Sequence, residues 1–338
     1  MLPPDRYSRQ FRFAPIGITG QSKLAASTVA IVGCGALGTF QAAALARAGV
    51  GRLRLIDRDT VEWSNLQRQW LFDEADAREQ SPKATAAATK LLAINSSIVV
   101  EALAVDLNAA NIEDLMEGVD LILDATDNFE ARFLMNDFAV ERGLPWIYGA
   151  AVGSYGLAFP ILPGHGPCLR CVYPEPPTGA QPTCETAGVL NTITSLTAAW
   201  QTALATKLLV SGAAALPLRL ATFDTWSFET RQIKISIDPN CACCGERRFD
   251  HLDGRARAPI SLCGRNAVQI HERHATLDLV SLEQQLSGLG TVRRNDFALR
   301  FSPSERYEMT IFPDGRAIVK GTQDIGIARS LYARFLGR

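Results

Sequence analysis

The chain has 338 residues, 47% of them apolar, which is enough for one large core with a small second domain and too apolar for wholesale disorder. Lysine and arginine number 34 against 35 acids, so no general field favours nucleic acid or an anionic membrane. No apolar run reaches the roughly 18 residues of a membrane helix, and the charged, proline-broken start MLPPDRYSRQFRF does not read as a signal peptide, so the expected compartment is the cytoplasm.

Residues 28–33 (TVAIVG) read as a buried strand, 36–48 as an alanine-rich helix and 52–57 (RLRLID) as the next strand. That is a βαβ unit, whose parallel strands need helices on their faces. Ser81-Pro82 starts a helix over Lys83–Ile94, followed by strands at 98–105 and 119–125. A helix spans Phe129–Arg142, a strand 145–149, and 155–162 begins an antiparallel portion. The proline- and glycine-rich stretch 164–181 is a long loop. Residues 188–210 form a long apolar helix, and 219–237 alternate as paired strands do. After about Pro259 the character changes: a helix at 277–286, strands at 296–301 and 306–312, a turn at Pro313-Asp314-Gly315, a strand at 316–320 and a closing helix at 324–336. The expected fold is therefore α/β, a Rossmann-like doubly wound, mainly parallel sheet with an antiparallel portion over residues 1–255. A small α+β appendage follows over 256–338.

Gly33, Gly35 and Gly38 form G-x-G-x-x-G between a strand and a helix. Such glycines allow a tight turn and close approach of phosphate to backbone amides at a helix N-terminus. Asp57, 19 residues after Gly38 at the end of the next strand, suits a ribose hydroxyl. The bland reading is a tight turn with glycines kept for packing, and the motif alone does not separate NAD from ATP. The segment Asp57 to Gln69 tips the balance. Hydride transfer needs a dry pocket, whereas attack of a carboxylate on an α-phosphorus brings anions together and needs cations. Arg68 and Lys83 supply them, and Asp127, at a strand's carboxyl end, can hold magnesium. Singly, each is more often a solvated surface charge; the combination carries the argument.

Eight cysteines in a reducing compartment point to metal or thiol chemistry rather than to disulfides. Cys168, Cys171, Cys241 and Cys244 form two Cys-x-x-Cys knuckles able to make a closed, structural S4 zinc site; the bland alternative is four reduced, buried thiols. Cys243 is the odd cysteine between ligands, and Cys34 a packing residue in the glycine loop. Cys184, between the proline-rich loop and the long helix, is either a thiolate with lowered pKa or a neutral loop thiol. The four histidines lie with no acid or serine that suggests a hydrolase.

Together these segments resemble the ThiF/MoeB/HesA family of E1-like sulfur-carrier-protein adenylyltransferases, in a longer form. The resemblance covers residues 5–250: Arg6-Tyr7-Ser8-Arg9-Gln10, the Gly33–Gly38 loop, Asp57 to Gln69, Lys83, Thr126-Asp127-Asn128 with Arg132, both cysteine pairs, and Thr183 to Gly188. It implies ATP and magnesium as cofactors and, as the acyl group, the C-terminal glycine of a ubiquitin-like sulfur carrier ending in Gly-Gly. Asp57 would contact ribose, while Asn65, Arg68 and Lys83 would engage the triphosphate. Asp127 would coordinate magnesium with Asn128 beside it. Asp59, Ser64 and Gln69 complete the cofactor set, together with Ala36, which stands where relatives often have glycine. Arg9 would reach the triphosphate of a neighbouring subunit, implying a homodimer. Cys184 would serve sulfur transfer from a donor such as a cysteine desulfurase, for thiamine, molybdopterin or another thio-cofactor. The competing readings are a relative that adenylates a peptide or natural product, an NAD-dependent oxidoreductase and a non-catalytic scaffold.

Overall fold

The computed structural model describes residues 6–177, 184–253, 260–262, 267–271, 277–294, 298–313, 315–322 and 324–336. Helices α1 (Ser8–Phe11) and α2 (Gly17–Ala26) lead into strand β1 (Thr28–Val32). Val29 and Ile31 enter one apolar cluster and Ala30 and Val32 another, so β1 is covered on both faces, as a parallel strand must be. The chain then alternates: α3 (Ala36–Ala48), β2 (Arg52–Ile56), α4 (Glu74–Glu79), α5 (Lys83–Ile94), β3 (Val99–Leu103), α6 (Ile112–Leu115), β4 (Leu121–Asp124), α7 (Phe129–Arg142) and β5 (Trp146–Val152). β6 (Tyr155–Ile161), α8 (Leu169–Val172), α9 (Cys184–Ala187), α10 (Asn191–Ser211), β7 (Arg219–Asp224) and β8 (Glu229–Lys234) follow.

The sheet runs β3-β2-β1-β4-β5-β6-β7-β8, parallel through β5 and antiparallel beyond it. Strand order reverses between β1 and β4, and a doubly wound sheet opens its ligand crevice at the carboxyl ends beside such a switch. α3 is bounded by Gly35 at its start and by left-handed Gly49 (φ 81°) at its end. α7 starts where the Asn128 side chain accepts the Ala131 amide at 2.9 Å and stops at left-handed Gly143.

The described residues fall into two compact units, one within Met1–Pro177 and Gly188–Ala256, the other within Thr178–Ala187 and Arg257–Arg338. The second holds β9 (Ile260–Leu262), β10 (Ala267–His271), α11 (Leu279–Leu286), β11 (Thr291–Arg294), β12 (Leu299–Ser302), β13 (Glu308–Ile311), β14 (Arg316–Lys320) and α12 (Ile325–Leu336). Its antiparallel sheet runs β11-β12-β13-β14-β10-β9 and has its own core, with Phe301 and Val319 fully buried.

The expected α/β architecture is present, with shifts at element edges. The helix expected from 188 begins at Asn191, and α9 stands apart before it. Left-handed Gly188 (φ 72°) separates the two. The 164–181 loop contains α8, a single turn inside the first cysteine knuckle. β9, β10 and β11 are strands with no counterpart in the sequence reading. No helix among the described residues is long and apolar enough to cross a membrane.

At the switch point, buried Arg132 on α7 donates through Nε to Asp124 Oδ2 at 3.0 Å. Its Nη2 donates to the carbonyls of both Thr126 (2.6 Å) and Gly149 (3.2 Å). Asp124 also accepts the Thr126 amide and hydroxyl and the Gly149 amide. Removing one partner of a buried pair strands the other charge. Asp124→Ala is therefore expected to lower the unfolding free energy by about 3–5 kcal/mol, read as a drop in the denaturant midpoint followed through tryptophan fluorescence.

Candidate functional site

The loop after β1 is shaped by contacts that tolerate no side chain. Gly33 adopts φ +96°, and a Cβ there would sit 2.5 Å from the Ala125 carbonyl oxygen. A Cβ on Gly38 would come within 1.9 Å of Gly33 O. Gly35 differs: a Cβ there would meet only Gln69 Nε2, at 3.9 Å. It faces open space at the N-terminus of α3, where a phosphate could approach the backbone. Gln69 is buried, and its Oε1 has no hydrogen-bond partner among the described residues. An open glycine at a helix start, with the Gln69 amide nitrogen as a donor beside it, fits a phosphate-bearing ligand.

Asp57, at the end of β2, braces this loop. Its Oδ2 accepts the Cys34 amide at 2.6 Å and its Oδ1 the Asp59 amide at 2.7 Å. Burial pushes the Asp57 carboxyl above its ordinary range, and the nearby Lys83 charge pulls it back. Lys83, buried at the start of α5, donates to Asp59 Oδ2 at 3.4 Å, and its amide bonds Asp59 O at 2.9 Å. The glycine loop, Asp57, Asp59 and Lys83 therefore form one polar constellation. The Cys34 thiol inside the loop is buried, and burial pushes its pKa well up, as suits a packing residue rather than a nucleophile.

A 3₁₀ turn at Trp63–Asn65 supplies the next group. Buried Asn65 accepts the Glu62 amide at 3.0 Å, exposed Ser64 offers its carbonyl, and Arg68 Nη1 donates to it at 2.8 Å. Asp127 is exposed just past β4, with Asn128 capping α7 beside it. Burial works against the Arg132 charge, but Asp124, Tyr148 and, more weakly, Asp127 hold its pKa above the usual value.

Arg9 lies apart from this group. It is exposed on α1, and its neighbour Gln10 bonds the Ala48 carbonyl at 2.8 Å. Ala48 ends α3, and a helix rises about 1.5 Å per residue, so this anchor is about 18 Å from the glycine loop. A hollow of about 540 Å³, lined in part by Phe13, Ile16, Ala44, Thr206 and Lys207, opens at this same region, and none of the glycine-loop residues lines it. Phe13 and Ile18 beside α1 are 61% and 74% exposed.

The sulfurs of Cys168, Cys171, Cys241 and Cys244 all lie within 4.8 Å of one another. Cys168–Cys241 and Cys171–Cys244 are 3.6 and 3.5 Å apart, close to the edge of a tetrahedron with Zn–S bonds of about 2.3 Å. Burial, then the Cys171 hydrogen bond and charge, pushes the Cys244 thiol up to about 12. A divalent cation would let such sulfurs ionise together. Cys184 opens α9, in the second unit. Cys263 lies outside the described residues. Sequence reasoning missed Asp124, Gln41 and Gln201. The two glutamines bond each other at 2.7 Å, and both donate to the Asp124 carbonyl. Nothing local in the sequence joins residues 160 positions apart.

The sequence profile described as ThiF family matches residues 7–244. The chain is 43% identical to the "Sulfur carrier protein ThiS adenylyltransferase" of Bacillus subtilis over 98% of this chain and 99% of that one. It is 38% identical to the "Sulfur carrier protein adenylyltransferase" of Thermus thermophilus over 72% of this chain and 91% of the relative. Among solved structures, the crystal structure of E. coli MccB superposes with a TM-score of 0.64 at 25% identity, covering 72% of this chain and 73% of that one.

Gly38→Ala is expected to leave the protein folded but abolish measurable ATP binding in calorimetry, because the added methyl must displace the Gly33 carbonyl that shapes the loop. Wild-type affinity in this variant would mean that the close Gly33–Gly38 contact does not form the site.

Proposed function

The chain belongs to the ThiF family, and from that premise we propose that it adenylates the C-terminal glycine of a ubiquitin-like sulfur carrier protein with ATP. The observation that carries this reading is the near end-to-end likeness to the B. subtilis adenylyltransferase. It is supported by the joining of Asp57, Asp59 and Lys83 to an open glycine loop.

A carboxylate oxygen of the carrier's last glycine attacks the α-phosphorus of ATP. The new O–P bond forms as the bond to the β-phosphate oxygen breaks, and pyrophosphate leaves with that electron pair. The nucleophile is already ionised, so the protein supplies position and charge rather than a base. Asp57 takes the ribose hydroxyls with its remaining lone pairs while its backbone bonds hold the loop. The Gly33–Gly38 loop with Ala36 cradles phosphate. Asp59, Ser64, Asn65, Arg68, Gln69 and Lys83 surround the triphosphate, with Arg68 and Lys83 offsetting its charge. Asp127, with Asn128, would hold magnesium, which supplies further neutralisation.

Arg9 acts on the site of a second copy. Its anchoring about 18 Å from its own glycine loop, and the exposed Phe13 and Ile18 beside it, support a homodimer. Residues 1–255 form the adenylation domain, with zinc held structurally by the four clustered cysteines, and 256–338 a C-terminal domain of unassigned role. Cys184 is the thiol for sulfur transfer, fed by a donor such as a cysteine desulfurase. The pathway leads to thiamine or molybdopterin in the cytoplasm.

The hairpin tips support a protein as substrate. β5 runs parallel to β4 and continues four residues past the level of Asp124, about 13 Å. The β5–β6 and β7–β8 turns therefore overhang the nucleotide end of the sheet. At their tips Trp226 and Phe228 are 74% and 89% exposed, and Phe228 is held at φ 59°, a strained conformation for an aromatic residue.

Two measurements test this reading. With a carrier ending in Gly-Gly, the protein should catalyse ATP–pyrophosphate exchange, and Asp127→Asn should slow it at least about 100-fold with an unchanged melting temperature. Exchange with none of the ThiS- or MoaD-like carriers would sink the proposal. Trp226→Ser/Phe228→Ser should raise the KM for carrier about tenfold or more while leaving exchange with a short Gly-Gly peptide unchanged. An equal effect on peptide and carrier would rule out a docking role for the tips.

A further inference from the structure

Helix α7 carries a second polar group one turn beyond Arg132. Asn136 is fully buried, and its Oδ1 accepts the Leu169 amide at 2.8 Å. Leu169 sits inside the first knuckle, between Cys168 and Cys171. A backbone N–H can only donate, so this bond fixes the side-chain oxygen toward Leu169 and the nitrogen the other way. Asn136 Nδ2 then donates to Cys243 Sγ at 3.2 Å. Cys243 is fully buried and lies between Cys241 and Cys244 in the second knuckle. One amide thus grips both knuckles, though neither of the groups it touches belongs to the four-sulfur cluster. The neighbouring Asp137 adds a third tie, accepting the His251 amide at 3.0 Å just after the second knuckle.

We propose that Asn136 is the positioning residue of the tetrathiolate metal site, and that Cys243 is its handle on the second knuckle rather than a ligand. The two knuckles come from segments 73 residues apart, and the ties across them among the described residues include the Asp238 amide on the Cys171 thiol, Arg170 to Asp250 at 3.5 Å, and the Asn136 bridge. Asn136 engages both knuckles through a single rigid group, fixing the Leu169 amide and the Cys243 sulfur on opposite ends of a planar amide two bonds wide. The four ligand sulfurs are then gathered before metal arrives, and they remain gathered when one metal–sulfur bond opens. Loss of a residue that orients metal ligands without touching the metal typically costs 10–100-fold in metal affinity.

This inference rests on reading the four cysteines as a zinc site, and the experiment separates the two. Zinc release from purified full-length protein is followed with a chromophoric chelator well below the melting temperature. Asn136→Leu, close to isosteric, should release zinc at least about tenfold faster than wild type. A release rate within twofold of wild type, whatever the melting temperature, would overturn the proposal, since a merely structural Asn136 would lower stability without moving that rate. Should the leucine variant not fold, Cys243→Ala takes its place. It strands the Nδ2 donor but keeps the four ligands, so it should bind one zinc, show the four-thiolate absorption bands with cobalt, and release metal severalfold faster. Loss of those bands would make Cys243 a ligand, and unchanged release would leave Asn136 without a handle; either result overturns the proposal. A wild-type protein that holds no zinc would remove the metal reading itself.

Discussion

The buried pair between Asp124 and Arg132 is the constraint on which the rest of the first unit depends. Asp124 ends β4 at the point where the strand order turns back, and its side chain and carbonyl meet groups from α3, the turn after β4, α7, β5 and α10. Arg132 ties the end of β4 to the following turn and to β5 in one step. On the other face Gln41 and Gln201 bond the Asp124 carbonyl, linking α3, which starts at the glycine loop, to α10. The strand end at the crevice is thus fixed by buried polar groups that bond one another, although Gln41 Oε1 has no partner among the described residues. That arrangement costs desolvation, and it makes geometry rather than raw stability the gain.

Parts of the site differ in how far they are legible in the sequence. The glycine loop and Asp57 are legible because their chemistry is local: a turn, a helix start and the next strand end lie within 25 residues of each other. The steric demands at Gly33 and Gly38 give that motif its physical content. The cysteine cluster is legible in kind, since Cys-x-x-Cys pairs announce themselves, but the distance between the pairs hides which sulfurs meet. Asn136 is silent in the sequence, one polar residue on a helix, because its meaning lies wholly in two knuckles folded against it. In the second unit β12, β13 and β14 are legible, two of them because they flank a Pro-Asp-Gly turn, whereas β9, β10 and β11, three to five residues long, have no such marker beside them.

Helix α7 emerges as the element that both centres share. Its start carries the Asn128 cap and Arg132 at the carboxyl end of β4, and its next turn carries Asn136 and Asp137 at the cysteine end. A single rigid rod with polar groups at fixed pitch is a direct way to hold two sites in register. It also explains the heavy burial of this helix, from Ala131 to Val140, despite its polar composition.

The wide separation of the knuckles has a topological meaning as well. A cation gripped by Cys168 and Cys241 would close a ring of 73 residues, and ring closure of that size removes about 4 kcal/mol of disorder from the unfolded chain. Within that ring lie α10, β7 and β8, including the outermost, solvent-facing edge of the sheet. The parallel half, β1 to β5, lies outside it. The cross-link therefore acts on the one part of the sheet that has no second layer of crossover helices to confine it, as a clasp fastens the free end of a strap.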